Sequence, residues 1–275
     1  MIEHIIINSG GPNILVQLGM VAEAIDQQLI QLENITSVHG CSSGSILGVF
    51  LCLKIPIQDV VDYVVTRKWE KCVNYDINRF YTTKGIVDIQ WVAEMVIPFF
   101  KAYDIPLTVT MEEFYVRTGI EFDILTTEVT EMNSVLINHT TFPDLPVITA
   151  IQMSSAIPVV FPPVQYKDKH YVDGVCSQHC PWVDFPEDTV CIFAIDAMIG
   201  MVPELEDVYG YFQHLLCKLY RVISKSEKIP KGRLFLCTNI QSFLNSDLWQ
   251  KTIQNESYRK MMIDVGRTTF KEKYI

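Results

Sequence analysis

The sequence predicts an α/β fold around a central, mostly parallel sheet, on three observations. The first 53 residues alternate strand, glycine turn, helix, strand, serine turn, helix. Short apolar runs at residues 190–195 and 234–237 read as strands buried on both faces. Other stretches carry apolar residues at three- and four-residue spacing, the period of a helix face.

In chain order, residues 5–7 (three isoleucines) make the first strand, and Asn8-Ser9-Gly10-Gly11-Pro12-Asn13 a turn. Residues 14–29 follow as a helix, with Ile14, Leu15, Leu18, Val21, Ala22 and Ile25 on one face. Residues 35–38 form the second, β-prone strand, and the apolar run 46–53 the helix after it. Residues 54–120 show helical patterning around 57–69 and 86–103, with Pro98 and Pro106 as breaks. They are rich in aromatic residues, among them Trp69, Phe80, Tyr81, Trp91 and Phe99, and suit a helical cap with apolar walls. Residues 120–127 and 135–138 read as strands, and 147–156 as a short helix leading into a proline-rich stretch. Helices are expected at 206–225 and about 247–265. No repeat, low-complexity segment or linker divides the chain, so residues 1–275 are expected to form one domain with a cap at about 54–120.

The chemistry concentrates at Gly40-Cys41-Ser42-Ser43-Gly44, a Gly-x-Ser-x-Gly between a strand and a helix. A serine on such a turn holds its hydroxyl outward, and Gly40 and Gly44 omit side chains that would clash. The helix behind it aims its positive end where negative charge develops in acyl transfer. The bare pattern occurs by chance in roughly one chain in ten of this length, so the strand-to-helix context is what lifts it. The turn at Gly10 and Gly11 also opens a helix and offers backbone N–H groups to an anion. Two such turns side by side in a parallel sheet bring a nucleophile beside an oxyanion hole. Further on, Ser154-Ser155-Ala156-Ile157-Pro158-Val159-Val160-Phe161-Pro162-Pro163-Val164 precedes Tyr171-Val172-Asp173-Gly174.

With these three elements in this order, the sequence resembles the patatin-like phospholipase family over about residues 4–175. The resemblance implies a three-layer α/β/α sandwich and a Ser-Asp dyad in place of a triad. Ser42 matches the nucleophile and Asp173 the general base, with Gly174 completing the Asp-Gly turn. Gly10, Gly11 and Ser43 are left to supply the oxyanion amides. The chain departs from the family's run of three glycines and its following basic residue: Pro12 stands in the turn and has no N–H to donate. Val175 stands where a second glycine often follows Asp-Gly. The C-terminal third carries no motif of the family.

Other constellations are weaker. Cys176, His179 and Cys180 are possible soft ligands, but no second pair at zinc-site spacing follows, so no metal and no cofactor is expected. An α/β-hydrolase triad would need His179 or His214 to reach Ser42. His39, three residues before the serine, belongs near the end of its strand beside the site, with no proton transfer assigned to it. Hydrophobic residues are 49%, charged residues 20% and the net charge −10. That charge argues against nucleic acid, whose phosphates need a basic surface. It also argues against electrostatic recruitment to anionic membranes, though an apolar lid can still touch lipid. No apolar run nears the roughly 18 residues of a membrane span, and MIEHIII has no basic region followed by an apolar segment of signal-peptide length, so neither a membrane span nor secretion by that route is expected. Eight cysteines scattered through apolar runs suit reduced thiols in a cytoplasmic protein.

The expected function is therefore hydrolysis of (lyso)phospholipid or related acyl esters through an acyl-enzyme. Two alternatives stand beside it: a Ser-His-Asp esterase, and a binding protein of the same fold whose oxyanion turn no longer supports turnover.

Overall fold

The computed structural model describes residues 2–178, 186–194, 215, 233–237 and 246–274. Its centre is an eight-stranded mixed sheet flanked by helices. In chain order the strands are β1 (His4–Ile7), β2 (Ser37–Cys41), β3 (Glu121–Glu128), β4 (Asn133–Ile137), β5 (Val164–Tyr166), β6 (Lys169–Asp173), β7 (Thr189–Ala194) and β8 (Arg233–Cys237). The spatial order is β5-β6-β3-β2-β1-β7-β8, with β4 also on β3. From β3 to β8 neighbouring strands are parallel, whereas β4, β5 and β6 run antiparallel to their neighbours.

Strands β1 and β7 are apolar on both faces, which explains their uninterrupted hydrophobic runs, whereas β2 and β3 also bury polar residues, among them Ser37, His39 and Asp123. Ile5, Ile7, Val38, Phe122, Ile124, Val190 and Ile192 join the large core with α1 (Ile14–Asp26) and α2 (Ser43–Cys52). Ile6, Cys41, Leu125, Cys191 and Phe193 form a smaller cluster on the opposite face, as the two-residue period of a strand requires.

Helix α1 stops three residues short of the expected end because Gln28 takes φ +58°, and the Ala24 carbonyl then accepts both Leu29 and Ile30 N–H. Residues 54–120 are more broken than their periodicity suggested: α3 (Ile57–Thr66), α4 (Arg79–Thr83), α5 (Gln90–Ala93), α6 (Ile97–Ala102) and α7 (Met111–Thr118). Pro98 breaks nothing; it sits in the first turn of α6, where a missing N–H costs no hydrogen bond. Helix α7 opens on a Thr110–Glu113 capping box. Helix α8 (Val147–Ser155) matches its expected span, and the β5–β6 hairpin after it went unread. The apolar stretch expected as one helix near the end is two, α9 (Ser246–Gln254) and α10 (Glu256–Tyr274). They divide at Asn255, whose side chain caps α10 by accepting Tyr258 N–H at 3.0 Å. Apart from Leu215, the helix expected at 206–225 lies outside the described residues.

Helix α10 ties the C-terminal end into the core. A Cβ on Gly19 of α1 would stand 2.0 Å from the Ile263 carbonyl oxygen, and one on Gly266 2.1 Å from that of Val16. The two backbones touch at these glycines, and Arg267 adds contacts to Glu23 at 3.3 Å and Asp26 at 2.5 Å. Gly266→Val is expected to cost about 3 kcal/mol through overpacking, read as a lowered denaturant midpoint. An unchanged midpoint would contradict this account of the helix pair.

Candidate active site

Strand β2 ends at Cys41, and α2 begins two residues later. Ser42 between them is the N-cap of α2, at φ 53° and ψ −121°. A non-glycine residue there carries of order 1–3 kcal/mol of strain, held by its surroundings. A Cβ on Gly44 would stand 2.1 Å from the carbonyl oxygen of Ile7, the last residue of β1, and one on Gly40 2.7 Å from the Gly44 carbonyl. Both motif glycines are thus demanded by close packing of α2 against the sheet end. The Ser43 hydroxyl donates to Gln17 Oε1 at 3.0 Å, and Ser45 to the Ser42 carbonyl at 2.6 Å, so both neighbouring hydroxyls are engaged.

The sheet register brings Asp173 to the same point. Strand β2 pairs with the first part of β3, up to Leu125 opposite Cys41. Strand β6 pairs with Thr126, Thr127 and Glu128, with Asp173 opposite Thr126. Strand β4 pairs with Ile124 through Glu128 and so occupies the other edge of β3. Strands β2 and β6 therefore share one edge, and β6 runs head-on into the end of β2. A Cβ on Gly174 would lie 2.6 Å from the Leu125 carbonyl oxygen and 2.9 Å from Cys41 Sγ, so the turn after Asp173 also needs a glycine.

The end of α8 and the residue after it bridge the two turns. Ser154 Oγ accepts the Ser42 N–H at 2.8 Å and donates to the Leu125 carbonyl at 2.6 Å. Two residues on, the Ala156 carbonyl accepts the Asp173 N–H at 3.0 Å. This is the structural content of the Ser-Ser-Ala-Ile-Pro stretch.

Asp173 is 1% exposed. Its Oδ1 accepts the Val175 N–H at 3.0 Å, and its Oδ2 has no hydrogen-bond partner among the described residues. Burial pushes its pKa up to about 7, against the smaller opposing effects of the Ser42 hydroxyl and the Val175 amide. Ser42 is thus close enough to favour the charged carboxylate without closing a full bond to Oδ2.

The glycine turn at the start of α1 faces Ser42. Gly11 takes φ +52°, and Pro12 lies in a short 3₁₀ turn where a proline fits. Buried Gln17 links the two turns: its Nε2 donates to the Asn8 carbonyl at 2.7 Å and to Asn8 Oδ1 at 2.9 Å, while Oε1 takes the Ser43 hydroxyl. Gly11, Ser42 and Ser43 line one cavity of about 610 Å³ including its open mouth, whose walls include Trp69, Trp91 and Trp249. Gly10 is not among its lining residues; it packs on Gln17, 3.2 Å from where its Cβ would be. Ser155 also lines this cavity, with a buried hydroxyl that lacks a partner among the described residues.

His39 is not at the site. It is the third residue of β2, with Nε2 2.8 Å from Ser37 Oγ and Nδ1 2.9 Å from Asp123 Oδ2. This Ser-His-Asp chain lies toward the N-terminal end of β2, and Ser37 is also held by His4 Nδ1 at 2.7 Å. The helix N-termini that flank Ser42 do not point there. His179, Cys180 and His214 lie outside the described residues. The Cys176 thiol is pushed well up by burial and then by the Asp173 charge, which disfavours the thiolate a metal needs. Among the described residues, Glu3, His4 and Asp188 have ligand atoms within 4.8 Å of one another, at the opposite end of β1 from the site.

Ser154, Ser155 and Gln17 were not singled out from the sequence. Only the proline-rich stretch hinted at the first two, and a glutamine on an otherwise apolar helix face at the third.

A sequence-family model for patatin-like phospholipases matches residues 5–185. The chain is 21% identical over 170 residues to "Probable lipid hydrolase 463L" of Invertebrate iridescent virus 6, across 60% of this chain. The match spans 56% of that relative's length. Among solved structures it is similar to VipD from Legionella pneumophila, with TM-score 0.51 and 13% identity over 95% of this chain and 66% of that one.

Proposed function

The chain belongs to the patatin-like phospholipase family, and on that premise we propose that it is a serine acyl hydrolase of lipid esters, with Ser42 as nucleophile and Asp173 as the one base. The observation that carries this reading is the buried Asp173 carboxyl, pushed up to about 7 at the head-on meeting of β6 with the serine turn. An ordinary carboxylate is a poor base for an alcohol; one titrating near neutrality is better matched to proton transfer.

In this mechanism Ser42 Oγ attacks the ester carbonyl and its proton passes to Asp173 Oδ2. The amides of Ser43 and the Gly10–Gly11 turn, with the N-terminal end of α2, stabilise the tetrahedral oxyanion. Collapse breaks the ester C–O bond, and Asp173 returns the proton to the departing alcohol. Water then attacks the acyl-enzyme, giving its proton to Asp173, and the acid departs as Ser42 is reprotonated. Phospholipid or lysophospholipid esters are the proposed substrates, and the lipid itself is the proposed partner. A cytoplasmic setting with reduced thiols is part of this proposal. No helix among the described residues is long and apolar enough to cross a membrane.

The pH profile is a direct test. The base must be ionised, so kcat/KM is expected to rise with pH through about 7 and to fall below it as Asp173 takes up a proton. A limb near the ordinary carboxylate value, or a profile flat down to about pH 5, would remove Asp173 from this role.

Pro12 favours a second reading, a binding protein with a weakened oxyanion turn. Pro12→Gly restores an amide to that turn. A wild type inert to esters and to a fluorophosphonate, together with an active Pro12→Gly, would establish that reading. A wild type that turns over would reject it.

A further inference from the structure

The cavity beside Ser42 is closed by a part of the chain that the family match does not reach. The match ends at residue 185, yet Trp249, Thr252 and Ile253 of α9 and Arg259 of α10 all line the cavity. Trp249 packs on Trp91 of the cap, ring centroids 5.7 Å apart. Trp91 in turn stacks on Phe161 at 6.1 Å and 17° and meets Trp69 at 6.3 Å. Trp249 is thus the outer member of an aromatic wall that reaches back to the proline-rich stretch.

Arg259 makes that wall rigid. It is 3% exposed. Its Nε donates to the Val65 carbonyl at 3.0 Å, and its Nη2 to Val65 at 2.6 Å and Arg67 at 3.1 Å. Its Nη1 donates to the Thr252 and Ile253 carbonyls at 3.0 and 3.1 Å. These carbonyls sit at the C-terminal ends of α3 and α9, the negative ends of both helices. One guanidinium therefore pins α9 to the cap. All five of its N–H donors are engaged, which leaves none for a phosphate head group.

We propose that α9, pinned by Arg259, forms the end wall of an acyl-chain pocket, and that Trp249 and Ile253 set the length of the single hydrocarbon chain it accepts. The proposal rests on the lipid-ester reading of the site but makes a claim of its own. The ligand at this end is the neutral chain of an acyl group, and its upper length is a property of the C-terminal helices.

Binding and turnover separate the two claims. In Ser42→Ala protein, binding of straight-chain fatty acids from about C6 to C16 can be followed by calorimetry. Affinity is expected to gain with each methylene up to a limit and then stop gaining or fall. A pocket discriminates one methylene by roughly tenfold or more. Adding Trp249→Ala should move that limit to longer chains and raise the C16-to-C8 affinity ratio by about tenfold. Ile253→Phe, which fills space, should move it the other way, so a poorly folding Trp249→Ala does not decide the matter. Identical chain-length profiles in folded variants would overturn the proposal, as would no measurable binding of any chain. Hydrolysis of matched p-nitrophenyl esters by protein with Ser42 intact tests the other claim. A length limit that moves with Trp249 in a protein with no Ser42-dependent hydrolysis would support the wall and overturn the hydrolase reading.

Discussion

Replacing Ser42 by alanine is expected to abolish fluorophosphonate labelling and to lower ester hydrolysis by about 10⁴-fold or more, as loss of a serine nucleophile does elsewhere. The fold should be unaffected. The contacts that hold the turn run through the Ser42 backbone: its N–H to Ser154 Oγ and its carbonyl to Ser45 Oγ. Alanine keeps both and meets the same strain at φ 53°. Any residual rate would come from the oxyanion amides, which act on the substrate independently of the nucleophile. Mass spectrometry of the labelled wild-type peptide provides the check. Label on Ser43, Ser45 or Ser155, or labelling that survives in Ser42→Ala, would move the nucleophile. The first two of these hydroxyls already donate elsewhere, to Gln17 and to the Ser42 carbonyl.

Asp173→Asn should lose turnover and gain stability, two effects of opposite sign from one change. The loss follows because an amide cannot take the Ser42 proton. The gain follows from proton counting. The carboxyl titrates near 7 in the fold against its ordinary 3.8, so between those values the folded chain holds a proton that the unfolded chain has released. Stability therefore falls as pH rises through this window, and above about pH 7 the full cost of the buried charge is borne. A shift of about three units corresponds to roughly 4 kcal/mol. Asparagine keeps an oxygen for the Val175 N–H and carries no charge, so it should recover a good part of that cost at pH 8. Near pH 3, below both values, Asp173 is protonated in both states and the difference should vanish. Urea midpoints at the two pH values decide it. Equal wild-type and variant midpoints at pH 8 would mean that Asp173 is not a buried charge, and the base assignment would fall with it.

The sequence by itself determined what depends on neighbours along the chain. The serine turn was legible because Gly40 and Gly44 lie within two residues of Ser42 and are required by contacts that any such turn makes. Strands β1 and β7 were legible because burial on both faces leaves no room for polar alternation, and α1 because its apolar positions follow the helix period. The β5–β6 hairpin was not, since its strands are three and five residues long and their burial is mixed. The split of the last helix rests on one asparagine, Asn255, whose capping bond reaches three residues. The tertiary structure alone decided the rest. The resemblance named Asp173, but the fold alone puts it beside the serine turn, because β6 takes over the edge of β3 where β2 leaves it, and alone removes water from its carboxyl. His39, three residues from Ser42 in the chain, is directed away by the pleat into the Asp123 contact. Trp249 and Arg259 reach the cavity from more than 200 residues along the chain. Burial and long-range hydrogen bonds set these roles, and both depend on which segments pack together, a property that no local pattern of residues encodes.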